Sequence, residues 1–179
     1  MKFKILILCS WVCFPIMAQQ TQIKQVQLDG LKRMYQLNDS VFRSEQPNKK
    51  EFIALESFGV KTVLNLRKLR DDKRKARDTG LTLEHLRLKS KKIDQEDIIS
   101  ALRIIKNASK PVLIHCWHGS DRTGVITAAY RIVFENWTKA EAIAEFRRPE
   151  FGYHENWYPN LIDVLQNLNV DSIKKELAL

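Results

Sequence analysis

The ten residues HCWHGSDRTG, numbers 115–124, say more about this chain than any other segment. They follow an apolar run, residues 111–114, that is typical of a buried strand. They precede a longer apolar stretch, residues 125–134, whose length predicts a helix. A strand that turns through a glycine-containing loop into a helix directs backbone N–H groups toward one point, where the helix N-terminus adds partial positive charge. The segment therefore predicts an anion-binding loop.

Cys116 begins this loop and Arg122 ends it, with five residues between them. A cysteine among converging N–H groups and near a guanidinium ionises readily, and a thiolate beneath a bound phosphate is placed for in-line attack on phosphorus. Arg122 can hold two phosphate oxygens while charge moves in the transition state. The hydroxyl of Thr123 can donate to the sulfur when it leaves. We therefore predict Cys116, Arg122 and Thr123 as catalytic residues.

The order His115-Cys116, five residues, then Arg122-Thr123-Gly124 resembles the signature loop of the cysteine-dependent protein tyrosine phosphatases, particularly their compact dual-specificity branch. The segments RSEQP at 43–47 and GVKTVLNLR at 59–67 are similar to the opening of bacterial and fungal atypical dual-specificity phosphatases, so the resemblance spans roughly residues 35–148. It implies an α/β fold with a central mixed, mainly parallel sheet flanked by helices in three layers. It also implies hydrolysis of phosphate monoesters through a cysteinyl-phosphate intermediate.

The loop residues between the cysteine and Thr123 are predicted to bind the phosphoryl group. They are Trp117, His118, Gly119, Ser120, Asp121 and Arg122. His115 is expected to orient the Cys116 backbone through a hydrogen bond, and Gly124 to support the loop. We expect no cofactor and no metal, because no ligand cluster has metal spacing and the arginine with the N–H groups takes the electrostatic role of a metal.

A proton donor for the leaving oxygen is harder to assign. Related phosphatases use an aspartate on the loop before the helix that leads to the cysteine strand, but here that loop reads KSKK at residues 89–92. Asp94 follows and is our first candidate, although it also stands where a helix N-cap belongs. Asp121 is the alternative. It resembles the loop aspartate of the myotubularin lipid phosphatases, yet it could equally shape the loop.

Alternative functions remain open at this point. Sulfur-handling enzymes of the rhodanese type carry a cysteine loop of similar size but generally lack the following Arg-Thr-Gly. A catalytically silent module that binds phosphorylated ligands would keep the same loop. The substrates that the resemblance permits are phosphotyrosine, phosphoserine or phosphothreonine, phosphoinositides and inositol pyrophosphates. The last are disfavoured, because Trp117, His118 and Asp121 stand where lysines are common in phosphatases of highly phosphorylated inositols.

Residues 1–18 are predicted to be a signal peptide, with Lys2 and Lys4 before an apolar core and Ala18 at the cleavage site. Residues 19–33 form an N-terminal lead-in and residues 34–179 the catalytic domain. An uncleaved membrane anchor is the alternative. Cleavage would leave Cys116 as the only cysteine, which excludes a disulfide framework. We therefore expect a secreted or periplasmic protein.

The chain is basic, with a formal net charge of +9, or +7 once the two lysines of the predicted signal peptide are removed. Seven basic residues fall within residues 67–77, which could be a solvated helix face or a cationic rim that gathers anions. Such a charge favours a phosphorylated protein or another anionic phosphate monoester as partner. Basic residues without interleaved aromatic residues argue against nucleic acid. We expect a monomer.

Hydrophobic periodicity predicts strands and helices that alternate in the first half of the chain, with helices alone after the loop. The predicted elements are a hairpin over 34–42, a helix from Pro47 to Gly59, strands over 60–66 and 81–88, a helix over 93–108, and helices over 125–135, 139–147 and 159–168.

Overall fold

The computed structural model describes residues 23–28 and 30–179, so the predicted signal peptide lies outside the described residues. The strands are β1 (Lys24–Gln25), β2 (Tyr35–Asn38), β3 (Val41–Ser44), β4 (Thr62–Asn65), β5 (Thr82–His85) and β6 (Val112–His115). The helices are α1 (Lys49–Phe58), α2 (Gln95–Asn107), α3 (Asp121–Phe134), α4 (Lys139–Phe146), α5 (Asn160–Gln166) and α6 (Val170–Glu176). Two short 3-10 turns lie at Ser90–Lys92 and Pro149–Phe151.

All six strands belong to one sheet in the order β1-β2-β3-β6-β4-β5. The β1–β2 and β2–β3 pairs are antiparallel, and the other three pairs are parallel. This is the mixed, mainly parallel sheet that the sequence predicts. Part of the predicted lead-in belongs to it, because β1 pairs with β2 and Leu31 is buried.

The strand residues alternate between two hydrophobic clusters on opposite faces of the sheet. Ile114 packs in the larger cluster with apolar residues of α2 to α6, whereas its neighbour Leu113 packs in the smaller cluster with Phe52 and Leu55 of α1. A parallel strand with helices on both faces buries successive side chains on both sides, which explains the continuous apolar run before Cys116. The expected three-layer architecture is therefore present.

Helix α1 begins and ends where local chemistry dictates. Asn48 is its N-cap, and its side chain accepts hydrogen bonds from the backbone N–H groups of Lys50 and Glu51. Glu51 reaches back to the Asn48 N–H, which completes a capping box. Gly59 follows in a left-handed conformation with φ 106°. The sequence predicted that this helix begins at Pro47, and it begins two residues later, at Lys49.

The other predicted elements are present with shifted boundaries, and strand β1 and the two 3-10 turns are additions to them. Helix α6 was not predicted from the sequence. The basic segment 67–77 contains no helix and consists of turns, which removes the interpretation as a solvated helix face. Within the part of the chain that the structure covers, no helix is long and apolar enough to cross a membrane.

The parallel strands bring their carboxyl ends together at one edge of the sheet. His115, the last residue of β6, pairs with Ser44 of β3 on one side and Asn65 of β4 on the other. The loops after these strands therefore leave the sheet side by side. In open α/β sheets this edge is where ligands bind.

Candidate active site

The loop after β6 is held in place through its carbonyl groups. Every carbonyl from residue 115 to residue 120 accepts a hydrogen bond. The donors are Leu66 N–H to His115 (2.8 Å), His115 Nδ1 to Cys116 (3.0 Å), Gln46 N–H to Trp117 (3.0 Å), Arg33 to His118 (3.2 Å), Arg43 to Gly119 (2.7 Å) and Gly124 N–H to Ser120 (2.6 Å). The loop carbonyls are therefore directed toward protein donors.

The N–H groups of the same loop are left free. Among the described residues, no acceptor receives a hydrogen bond from the backbone N–H groups of residues 117–122. The last of them belong to the first turn of α3, whose N–H groups have no partner inside the helix. With carbonyls facing out and N–H groups unpaired, the loop has the donor arrangement of an anion-binding nest.

Two side chains beside the nest also have unused donors. Of the side-chain atoms in residues 23–28 and 30–179, only Arg122 Nε and Thr123 Oγ1 are buried without a hydrogen-bond partner. Buried polar atoms are nearly always satisfied, so two orphans on adjacent residues indicate a missing polar ligand. Cys116 is only 2% exposed and is a free thiol at the start of the same loop. These three predicted catalytic residues thus lie in one loop-and-helix unit.

Gly119 is required by the shape of the loop. Its φ is +72°, and a Cβ built on it would lie 2.5 Å from the carbonyl oxygen of Ser44. Only glycine adopts this conformation at such close approach without strain. Gly124 packs equally closely, because a Cβ there would lie 2.1 Å from the ring of Phe146. Both glycines of the motif therefore support the loop.

Arg43 fixes Gly119 from within the core. Its buried guanidinium donates to the Gly119 carbonyl and to Thr127 Oγ1 (3.4 Å), and it lies 4.2 Å above the centre of the Phe151 ring. Burial lowers the pKa of Arg43 to about 10. The guanidinium consequently stays charged at neutral pH and adds positive potential beneath the loop.

His115 connects the loop to a buried carboxylate. Its Nε2 lies 2.7 Å from Asp72 Oδ2, and its Nδ1 lies 3.0 Å from the Cys116 carbonyl oxygen. The ring thus bridges the Cys116 carbonyl and the Asp72 carboxylate. Burial favours protonated Asp72, but hydrogen bonds from His115 and Gln46 outweigh it and hold the pKa of Asp72 below its usual value.

The two candidate proton donors have different surroundings. Asp94 is exposed and caps α2, accepting a hydrogen bond from the Asp97 N–H at 3.0 Å. Asp121 is partly buried and contacts His154, which donates its backbone N–H (2.9 Å) and approaches both carboxylate oxygens with Nδ1 (3.1 Å). The His154 ring stacks on Trp157 and lies 6.0 Å from the ring of His118. Asp121 thus belongs to an aspartate–histidine pair beside Arg122.

The surface beside Trp117 is exposed and basic. Trp117 is 52% exposed, and the guanidinium of Arg67 lies 4.6 Å from the centre of its ring. Burial lowers the pKa of Arg67, and the charges of Arg70 and Arg122 lower it further, although Asp72 opposes them. Part of the basic segment 67–77 therefore lies beside the loop, as the cationic-rim interpretation predicted.

Four residues that support the loop were not predicted as site residues from the sequence. They are Arg33, Arg43, Gln46 and Asp72. Arg43 and Gln46 belong to the RSEQP segment, and their place at the end of β3 and just after it could have indicated a role at the same sheet edge. Arg33 lay in the predicted lead-in, and Asp72 lay hidden among basic residues. Within the described ranges, no group of three or more His, Cys, Asp and Glu side chains is placed to hold a metal ion.

Comparison with known proteins agrees with this geometry. The family model described as "Tyrosine phosphatase family" matches residues 32–177. The dual specificity protein phosphatase TpbA of Pseudomonas aeruginosa strain UCBPP-PA14 is 34% identical over 153 residues, which are 84% of this chain and 69% of TpbA. The inositol diphosphatase DSP5 of Arabidopsis thaliana is 26% identical over 127 residues, 63% of this chain and 59% of that protein.

Solved structures give the same result. The crystal structure of P. aeruginosa TpbA superposes with a TM-score of 0.79 at 27% identity and covers 90% of this chain and 99% of its own. A cysteine-to-serine variant of TpbA in complex with phosphotyrosine matches equally well, covering 89% of this chain and 98% of its own. Because the family model spans most of the sequence and the site has the donors that phosphate needs, this chain belongs to the tyrosine phosphatase family and is a cysteine-dependent phosphatase.

Proposed function

We propose that this protein hydrolyses phosphate monoesters, above all phosphotyrosine in proteins, through a phosphate bound to Cys116. The observation that carries the proposal is the loop after β6, whose carbonyls at residues 115–120 are all occupied and whose N–H groups at residues 117–122 have no partner among the described residues. The TpbA variant in complex with phosphotyrosine supports the choice of substrate. The phosphate of phosphotyrosine can reach the buried Cys116 thiol because the aryl ring holds it away from the peptide backbone.

In the first step, the Cys116 thiolate attacks phosphorus and the bond between phosphorus and the leaving oxygen breaks. The loop N–H groups and Arg122 hold the equatorial oxygens, where the transition state carries its charge. In the second step, water attacks the same phosphorus, the S–P bond breaks and inorganic phosphate leaves. Thr123 Oγ1, which has no partner among the described residues, donates to the departing sulfur.

The leaving oxygen receives its proton from the Asp121–His154 pair in this proposal. Asp121 immediately precedes Arg122, and His154 provides a second titratable group in direct contact with its carboxylate. The attacking water of the second step returns a proton to the pair, so the cycle is balanced. Asp94, in contrast, uses its carboxylate to cap α2, which supports a structural role for it.

The remaining parts of the proposal concern the cell and the assembly. We propose a secreted or periplasmic monomer, released from its signal peptide after Ala18, that works without metal or cofactor. Arg122 and the loop N–H groups supply the charge stabilisation that a metal gives in other phosphatases. N-terminal sequencing of the exported protein, activity in the presence of a chelator and size-exclusion chromatography check these three points.

The decisive experiment measures phosphate release from p-nitrophenyl phosphate and from a phosphotyrosyl peptide. We expect the wild-type protein to hydrolyse both and Cys116→Ser to lose activity by at least about a thousandfold while it still binds the peptide. A folded wild-type protein that binds the peptide without releasing phosphate would instead indicate a silent phosphate-binding module.

The proton donor is identified by comparing aryl with alkyl phosphates. Asp121→Asn and His154→Gln should reduce kcat by about a hundredfold for an alkyl phosphate and much less for p-nitrophenyl phosphate, whose leaving group needs no proton. Asp94→Asn is the matched control and should affect both substrates equally. A selective loss on alkyl phosphates in Asp94→Asn alone would assign the proton to Asp94.

A further inference from the structure

A cleft next to the phosphate loop is lined mostly by cations. It has a volume of about 370 Å³. Arg122 and Tyr158 form one part of its wall, and four lysines form much of the rest: Lys68, Lys89, Lys91 and Lys92. Because Arg122 lines both the cleft and the phosphate loop, a ligand held by the loop can extend into the cleft. No carboxylate is among the lining residues.

The charge of these lysines is not neutralised by the protein. Within residues 23–28 and 30–179, none of the four lysines forms an ion pair, although Lys49 elsewhere on the surface pairs with Asp78. Four ammonium groups and a guanidinium around one cleft repel one another, which costs free energy that a bound anion would recover. This cluster of lysines without ion-pair partners therefore favours the binding of an anion in the cleft.

The turn that carries three of these lysines is anchored on both sides. Leu88 before it and Ile93 after it are buried, and the Ser90 carbonyl accepts a hydrogen bond from Asn160 of α5 at 2.9 Å. The Lys92 N–H closes the turn onto the Lys89 carbonyl at 2.8 Å. The backbone is thus fixed while the ammonium groups remain exposed, which reduces the ordering cost of binding.

From this geometry we infer that the active site has a second anion-binding subsite, formed by Lys68, Lys89, Lys91 and Lys92, that selects phosphate monoesters carrying another anionic group near the scissile phosphate. This inference rests on the proposed phosphatase activity and specifies its substrate class. The second group can be the carboxylate of an acidic residue beside phosphotyrosine or a further phosphate on a small molecule. The KSKK turn of residues 89–92 lacks the carboxylate that related phosphatases use as proton donor. Its lysines instead bind the second anionic group of the substrate.

The test compares substrate pairs that differ only in the second charge. One pair is a phosphotyrosyl peptide with flanking Asp and Glu against the same peptide with Asn and Gln, and the other is 1,4-phenylene bisphosphate against phenyl phosphate. We expect kcat/KM to be about tenfold higher for the more anionic member of at least one pair, and the pair that responds identifies the source of the anion.

The lysine variants decide whether the subsite causes this preference. In the triple variant Lys89→Ala, Lys91→Ala, Lys92→Ala, the ratio within the responding pair should fall toward one, and Lys68→Ala should lower it in the same direction from another segment. Arginine at the same three positions should keep the ratio. The matched control Lys24→Ala, Lys61→Ala, Lys175→Ala removes three exposed charges elsewhere and should leave the ratio unchanged. An unchanged ratio in the triple variant overturns the inference.

A binding measurement separates this inference from the activity itself. In Cys116→Ser, inorganic pyrophosphate should bind about tenfold more tightly than orthophosphate, and the triple lysine variant should abolish the difference. Equal affinities in Cys116→Ser would contradict the subsite even if the wild-type enzyme is active. A preserved difference together with no hydrolysis of p-nitrophenyl phosphate would overturn the phosphatase proposal and leave the subsite standing.

Discussion

The inner wall and the outer rim of the active site are built on opposite principles. The inner wall consists of the loop of residues 115–124 and the buried groups beneath it. There Arg43, His115 and Asp72 are almost fully buried, and their polar atoms have fixed partners. The rim consists of the four lysines of the cleft, which are exposed and have no ion-pair partner among the described residues.

The difference between them follows from what each region must do. In the proposed mechanism, the inner wall holds donors at the positions where charge develops on phosphorus, and such preorganisation requires buried, rigid contacts. The rim only attracts charge, so mobile ammonium groups are sufficient and geometry matters less. Substitutions should therefore change chemistry and stability at the inner wall, and substrate preference at the rim.

The largest effect is expected for Arg122→Lys. Lysine keeps the charge but cannot hold two phosphate oxygens in one plane, so kcat/KM for p-nitrophenyl phosphate should fall by about a hundredfold to a thousandfold. Arg103→Lys, on the exposed face of α2, is the matched control and should stay within about twofold of wild type. A loss below fivefold in Arg122→Lys would mean that charge alone suffices at the inner wall.

Gly119→Ala tests the rigidity of the inner wall. The new Cβ would meet the Ser44 carbonyl in a left-handed backbone, so the free energy of unfolding should fall by roughly 2–4 kcal/mol, with a parallel loss of activity. Urea unfolding measures the change. Gly80→Ala is a suitable control, because its only close neighbour is the flexible side chain of Glu56 and its φ is not positive. A Gly119→Ala protein as stable as wild type would contradict the close packing.

Asp72→Asn should produce a smaller, pH-dependent loss of stability. The folded state holds the pKa of Asp72 below its ordinary value, so its ionised form stabilises the fold above pH ~4, and this contribution disappears as the pH falls through the folded pKa. At pH 7 the variant should lose about 1–3 kcal/mol of unfolding free energy. The gap to wild type should narrow below pH ~4. Asp71→Asn, which is exposed, should show no such gap at any pH.

The smallest effect on stability belongs to the rim. Replacing Lys89, Lys91 and Lys92 with alanine should change the free energy of unfolding by less than about 0.5 kcal/mol, because exposed charges without ion pairs contribute little to folding. Urea unfolding beside Gly119→Ala gives the direct comparison. A loss above 1 kcal/mol would show that the lysine turn is a structural part of the domain, and the two regions would no longer be distinct.

The sequence predicted the fold class and the strand–loop–helix unit around Cys116 well, for local reasons. A strand, a loop with Gly119 and a helix lie next to one another in the chain, so their geometry depends on residues only a few positions apart. The capping of α1 by Asn48 and the capping position of Asp94 are equally local. Elements without a strong local pattern were predicted poorly, as the missed helix α6 and the turns of residues 67–77 illustrate.

What the sequence determined by itself is the local unit around the loop, with Cys116, Arg122 and Thr123 at fixed spacing between a strand and a helix. Only the tertiary structure decided which distant residues hold that loop and which surround it. Asp72 lies 43 positions from His115, and Arg33 lies 85 positions from His118, yet both pairs are in contact. Parallel pairing of β3, β6 and β4 brings the segment of Asp72 to this edge, and antiparallel pairing of β2 with β3 brings Arg33 there. No local sequence pattern records a contact made by sheet topology.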